Sequence, residues 1–286
     1  MNFAAKCKDN KAMFTLNCKG RLLVIESPVV MGIINATPDS FYEGSRFMGE
    51  KNILAQAEKM LKEGADILDI GGQSTRPGSH QLSEEEELKR VIEPIVLLQK
   101  NFPEAIISID TYQSKVAVEA VAAGASIVND ISGGNLDADM LQTVGTLNVP
   151  YICMHMQGTP QTMQKEPHYE NVTKEVLDFF IHKIDACKKA GIHDVIIDPG
   201  FGFGKTIKHN FELLKNLFVF KMLEKPLLLG VSRKSTIYKT LGVTVAEALN
   251  GTTVLNTIGL MNGANMLRVH DVKEAKEAVR LFNAIG

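Results

Sequence analysis

Cysteine is scarce and scattered. Cys7, Cys18, Cys153 and Cys187 include no C-x-x-C pair, which argues against a clustered zinc site and against a disulfide framework. A reducing cytoplasm is the simplest expectation. An excess of charge is missing too: the formal net charge is −2, so there is no sign of an extended nucleic-acid surface or an acidic-membrane anchor. No apolar run approaches the roughly 20 residues that span a bilayer. The opening "MNFAAKCKDNKAMF" has no apolar signal core. Linkers, low-complexity tracts and short-period repeats are likewise lacking, so residues 1–286 are read as a single domain.

What is present is a soluble protein's composition, 45% apolar and 22% charged over 286 residues. That length suits one α/β barrel. Short apolar runs recur at Val29–Asn35, Asp66–Gly71, Ile106–Asp110, Ser126–Asp130, Val149–His155, Asp194–Asp198, Pro226–Gly230 and Asn265–His270. Their continuous Val/Ile/Leu character fits strands buried on both faces, as in a parallel sheet. Amphipathic helical patterns follow them: Lys51–Glu63, Ser83–Asn101, Gln113–Ala123, Asp137–Leu147, Tyr169–Ala190, Asn210–Phe220, Thr244–Asn262 and Asp271–Ile285. Ser83 precedes four glutamates, as a helix start requires, and Gly64, Gly124 and Gly191 stand at expected helix ends. Eight strand–helix units predict a single (β/α)8 TIM barrel rather than an open doubly wound sheet. Ahead of it, "AMFTLNCKGRLLVIES" reads as an N-terminal β-hairpin within residues 1–28, closing the barrel bottom.

A barrel of this kind keeps its chemistry at the C-terminal ends of the strands. Here every such end is polar: "NATPDSF", "GGQSTRPGS", "SIDTY", "VND", "MHMQGTP", "DPGFGFGK", "GVSRKS" and "RVHDV". The stretch "DPGFGFGKT" invites a nucleotide reading, but its spacing is one residue short of G-x-x-x-x-G-K-[ST], and position 199 is proline. Arg268 and His270 flank Val269, so alternation sends both side chains to one face. A helix starting near Asp271 would add an anion-binding terminus.

Together these strand ends, in this order and over nearly all of the chain from Met31 onward, resemble the dihydropteroate synthase family. The resemblance implies condensation of 6-hydroxymethyl-7,8-dihydropterin pyrophosphate with 4-aminobenzoate, with Mg2+ and release of pyrophosphate, in folate biosynthesis. It implies Asp110, Asn129, Asp198 and Lys234 as the pterin site, Asp110 also steadying positive charge on the pterin methylene. Asn35, Arg268 and His270 would take the pyrophosphate, Asn35 giving a neutral oxygen to Mg2+. Thr75, Arg76, Pro77, Phe203 and Ser232 would serve 4-aminobenzoate and the lid over it. Asp110, Lys234, Arg268 and His270 are the expected catalytic groups. The partners implied are small-molecule substrates and a second copy of the chain, since the family is usually dimeric through outer helices. Ala36 and Gln73 depart from the family, which usually has Val or Leu and Glu there. The alternative is another pterin-binding barrel, a methyltetrahydrofolate-dependent methyltransferase that feeds a corrinoid, which has no use for an aminobenzoate or pyrophosphate site.

Overall fold

The computed structural model describes residues 13–36, 46–73 and 81–285. Strands β1 (Phe14–Cys18) and β2 (Arg21–Ile25) pair antiparallel, with Cys18 opposite Arg21. The two residues between them, Lys19 and Gly20, have φ of 55° and 86°. A two-residue turn of that kind matches the twist of the flanking strands.

The barrel strands are β3 (Val29–Asn35), β4 (Ile67–Gly71), β5 (Ile106–Asp110), β6 (Ile127–Asp130), β7 (Tyr151–Met154), β8 (Val195–Asp198), β9 (Leu228–Leu229) and β10 (Met266–Val269). They form one parallel sheet in the order β8-β7-β6-β5-β4-β3-β10-β9. A parallel bridge from Ile197 to Leu227 brings its two ends together. Around it lie α1 (Arg46–Lys62), α2 (Glu84–Asn101), α3 (Ser114–Ala123), α4 (Met140–Leu147), α5 (Val172–Lys189), α6 (Ile207–Lys215), α7 (Ser235–Leu241), α8 (Leu249–Met261) and α9 (Val272–Ile285). The (β/α)8 barrel and the hairpin expected from the sequence are both present.

Local signals set many of the boundaries. Ser83 Oγ accepts from the Glu86 N–H while the Glu86 carboxylate accepts from the Ser83 N–H at 2.9 Å, so two end donors of α2 are satisfied reciprocally. Gly124 ends α3 at φ 130°, where a residue with a Cβ would be strained. Two of the differences from the sequence reading lie in the helices. The helical pattern at 210–220 divides into α6 and a 3-10 segment, Leu217–Leu223, at Asn216. An unforeseen helix, α7, follows β9; its Thr236, Ile237 and Thr240 are β-branched, which masks a helix this short.

Side-chain alternation divides the core into layers. Val30, Ile34, Leu68, Ile70, Ile107, Ile109 and Val128 point outward and pack with the helices. Inward from the same strands come Met31, Ile67, Ile106, Ile127, Ile152, Ile196, Leu228 and Met266, buried together with Leu16, Cys18 and Ile25 of the hairpin. The hairpin is bound to the lower rim by Lys19 Nζ on the Val121 carbonyl (2.8 Å) and by Asn17 N–H on Asp194 Oδ2 (2.7 Å). Burying a Leu or Ile side chain stabilises a fold by about 1.5–3 kcal/mol. An apolar plug therefore fills the bottom of the barrel, and the inward positions above it are free to be polar.

Candidate active site

Two residues up four of the strands from the plug, the inward positions change character. After Ile67 comes Asp69; after Ile127, Asn129; after Ile196, Asp198; after Met266, Arg268. On β5 the sequence of inward residues is Ile106, Ser108, Asp110. Strand register aligns the upper row laterally, Asn35 beside Gly71, Gly71 beside Asp110 and Asp110 beside Asn129. Gly71 contributes no side chain, and a Cβ there would lie 3.5 Å from that of Asp110. Asp110, Asn129 and Asp198 are buried, whereas Asn35 is exposed at the end of β3.

Arg268 is the hub of this layer. Its Nε donates to Asp69 Oδ2 and its Nη2 to Asp110 Oδ2, both at 2.6 Å. Asn129 Nδ2 donates to the same Asp69 oxygen at 3.1 Å. Asp69 is fully buried, and its other oxygen has no hydrogen-bond partner among the described residues. The sequence reading passed over Asp69 because it sits in mid-strand rather than at a strand end. Its signal was an acidic residue in phase with inward-facing apolar neighbours, where burial demands a partner.

The charges shift one another. Burial pushes the Asp110 carboxyl up to about 7; the Arg268 guanidinium pulls it back, and Asp69 pushes it further up. Asp198 is raised by burial against the pull of Lys234, and its Oδ1 accepts the Gly200 N–H at 2.8 Å. Burial lowers Lys234 to about 8 despite the opposing pull of Asp198. A Cβ built on Gly230 would lie 3.7 Å from Lys234 Nζ and 3.9 Å from both Asp198 Oδ2 and Arg268 Cβ. Gly230 thus marks where the three groups converge, and its missing side chain leaves that space open.

Arg268 and His270, expected to act on one face, engage different neighbours. His270 Nδ1 lies 2.9 Å from Ser232 Oγ, which also accepts the His270 backbone N–H at 3.1 Å. Ser232 therefore orients the imidazole. Burial, then the Arg268 charge, lowers His270 to about 4, so its ring is neutral at pH 7. Arg233 fixes this corner by donating to both Asp271 oxygens, at 2.8 and 2.9 Å, with its own φ at 52°.

The loop after β8 has a different construction from a phosphate cradle. Lys205, which first suggested phosphate, is buried, and burial lowers it to about 7. Its Nζ meets the carbonyls of Gly200, Phe203 and His155 at 3.0, 2.9 and 3.3 Å, and His155 Nδ1 at 2.9 Å. Gly200 has φ 70°, and a Cβ on it would fall 1.8 Å from the His155 carbonyl oxygen. The Phe203 ring lies 4.5 Å from Lys234 Nζ and packs against Met154, Met156, Met163, Tyr112 and Ile131. Lys234 also donates to the Phe201 carbonyl. One edge of the mouth is therefore apolar and polarisable, facing a ring of charges.

Thr75, Arg76 and Pro77 lie outside the described residues. At the start of their loop, Gln73 Oε1 accepts the Leu82 N–H at 2.8 Å. Ala36 is buried against the outer core and donates its N–H to Gly71. Among the described residues no three His, Cys, Asp or Glu side chains form a metal-binding group. Asn35, an exposed neutral oxygen donor at the rim, suits an Mg2+ that keeps its waters and phosphate ligands, not one held in a protein cage. No helix among the described residues is long and apolar enough to cross a membrane.

Residues 31–270 match the pterin binding enzyme family. The chain is 43% identical over 271 residues to dihydropteroate synthase of Escherichia coli K12, covering 94% of this chain and 95% of that one. Its fold superposes with a TM-score of 0.89 on a Yersinia pestis dihydropteroate synthase solved with a sulfonamide drug complex, at 40% identity over 95% of this chain and 99% of that one. A Xanthomonas albilineans dihydropteroate synthase with 4-aminobenzoic acid gives 0.88 at 39% identity, over 95% and 97% of the two chains. The same Xanthomonas enzyme in complex with 7,8-dihydropteroate gives 0.85 at 37%, over 95% and 98%. With its barrel mouth lined by acid, amide and guanidinium groups and 94% of its length matched at this identity, this chain belongs to the dihydropteroate synthase family of transferases.

Proposed function

We propose that the mouth joins 6-hydroxymethyl-7,8-dihydropterin pyrophosphate to 4-aminobenzoate, forming 7,8-dihydropteroate and releasing pyrophosphate. The observation that carries this reading is the convergence of Asp110, Asn129, Asp198, Lys234 and Arg268 in one layer above an apolar plug. A pterin edge alternates donors and acceptors. Asp198 accepts from its amino and ring N–H groups, Asn129 offers both a donor and an acceptor, and Lys234 faces its carbonyl. The methionine cluster beside Phe203 supplies a polarisable wall for flat rings.

Departure of pyrophosphate leaves positive charge on the pterin methylene, which Asp110 stabilises when ionised. Arg268 has Nη1 available beyond its two carboxylate bonds and takes up the leaving group's charge, while the neutral His270 ring at the strand end can add a hydrogen bond. Mg2+ would be held by Asn35 and by the phosphates, and would supply charge neutralisation for the leaving group. The arylamine then attacks the methylene with its nitrogen lone pair and loses a proton. No protein nucleophile is required. Phe203 borders the aminobenzoate ring and Ser232 its carboxylate, and exclusion of water protects the cation.

The protein works as a homodimer in this proposal. The groove between α8 and α9 supports it, because Met261, Leu281 and Ile285 are exposed along it, with Val254 and Ile258 also exposed on α8. The direct test is pyrophosphate release measured with and without 4-aminobenzoate, at saturating dihydropterin pyrophosphate and Mg2+. Release that depends on the arylamine supports the reading. Absence of release from folded, pterin-bound protein contradicts it.

A further inference from the structure

Lys205 is a buried lysine at the mouth for which the proposed reaction has no use, and its bonds show an occupation. The loop from Gly200 to Lys205 turns tightly, with Gly200, Gly202 and Gly204 all at positive φ. The carbonyls of residues 200 and 203 turn inward onto Lys205 Nζ, and the carbonyl of Phe201 turns to Lys234. The Phe203 N–H in turn bonds the Gly200 carbonyl at 3.0 Å. Both backbone polar groups of Phe203 are therefore fixed by Lys205, one directly and one through Gly200. The His155 carbonyl and Nδ1 anchor the ammonium to the residue that follows β7. Lys205 has 3% of its surface exposed and makes four close polar contacts, so it offers no face to a phosphate.

We propose that Lys205 is a positioning residue for the arylamine subsite: through three backbone carbonyls it holds the loop after β8 in the shape that places the Phe203 ring beside Lys234. This rests on the reading of Phe203 as the wall for 4-aminobenzoate. Asp198 begins the same loop and also feels the Lys205 charge, but Lys234 and the Gly200 N–H act on it more strongly and β8 fixes its backbone. Loss of Lys205 is therefore felt mainly at Phe203, with less effect on the pterin edge.

The test is steady-state kinetics on four variants of the full chain: Lys205→Met, Lys205→Gln, Phe203→Ala, and Lys205→Met with Phe203→Ala. Lys205→Met keeps the aliphatic stem, and Lys205→Gln keeps two N–H donors for the carbonyls. The expected result for Lys205→Met is a KM for 4-aminobenzoate raised about tenfold, with the KM for dihydropterin pyrophosphate moving about twofold or less. Lys205→Gln should recover about half of that effect on a logarithmic scale, and the double variant should be no worse than Phe203→Ala alone to within about twofold. A purely structural role would move both KM values together or act additively with Phe203→Ala, and either result overturns the proposal. If Phe203→Ala leaves the 4-aminobenzoate KM unchanged, the functional reading of Phe203 fails and this inference falls with it. If Phe203→Ala raises that KM while folded Lys205→Met does not, only the inference falls. Should Lys205→Met not fold, Lys205→Gln carries the test; failure of both to fold assigns Lys205 to stability and overturns the positioning role.

Discussion

At the scale of single residues, the site depends on carboxylates and cations that burial has brought close to neutrality. Asp110 is raised to about 7, so it is ionised only above that pH. Lys234 is lowered to about 8, so its charge is lost above that pH. If both act charged, kcat/KM climbs as pH rises through about 7 and declines as it passes about 8, giving a narrow bell. A pH–rate profile checks this, and Asp110→Asn is expected to remove the acidic limb along with most of the activity. A broad flat profile from pH 6 to 9 would separate Asp110 and Lys234 from the rate-determining chemistry. The residues legible in sequence were those at or just after a strand end: Asp110, Asn129, Asp198 and Arg268 stand where an apolar run stops, and Lys234 follows β9 at the start of α7. Asp69 was hidden because its reason lies across the barrel, in an arginine 199 positions away. Ser232 was legible as a mouth residue but not as the partner of His270, since that contact spans 38 positions and two βα units.

Among the elements, the hairpin and the loop after β8 do opposite jobs at opposite ends. The hairpin plugs the bottom with Leu16, Cys18 and Ile25. Ile25→Ala should destabilise the protein by about 2–4 kcal/mol through the cavity it leaves. Denaturant unfolding reads that loss, while activity per folded molecule at 25 °C stays as in the parent chain. A fall in specific activity would mean that the plug is coupled to the mouth. Continuous Val/Ile/Leu runs made the barrel strands readable, and β3 and β5 begin and end where the apolar runs do. β9 was overestimated because the backbone departs from strand geometry after Leu229, where Gly230 opens the mouth. α7 was missed since its seven residues carry too little periodicity to stand out from a loop.

For the whole molecule, the outer face of α8 and α9 is the surface whose exposure calls for a cover. Leu281 and Ile285 are 70% and 74% exposed, and Met261 is 58%. If the proposed dimer forms through this face, Leu281→Glu should leave a folded monomer in analytical ultracentrifugation at micromolar concentration, since an unpaired charge buried at an apolar interface costs several kcal/mol. A dimer that survives this change lies elsewhere on the surface. The barrel architecture, and with it the end of the molecule that carries chemistry, followed from the order of apolar runs alone. The assignment of that chemistry rests on the pterin edge meeting Asp198 and Lys234. Equilibrium titration of dihydropterin pyrophosphate, without 4-aminobenzoate, into the parent chain and into Asp198→Asn tests this most directly. The account predicts binding weaker by about 30-fold in the variant, the loss of a charge-assisted hydrogen bond worth about 2 kcal/mol. Equal affinity in two equally folded proteins would contradict it.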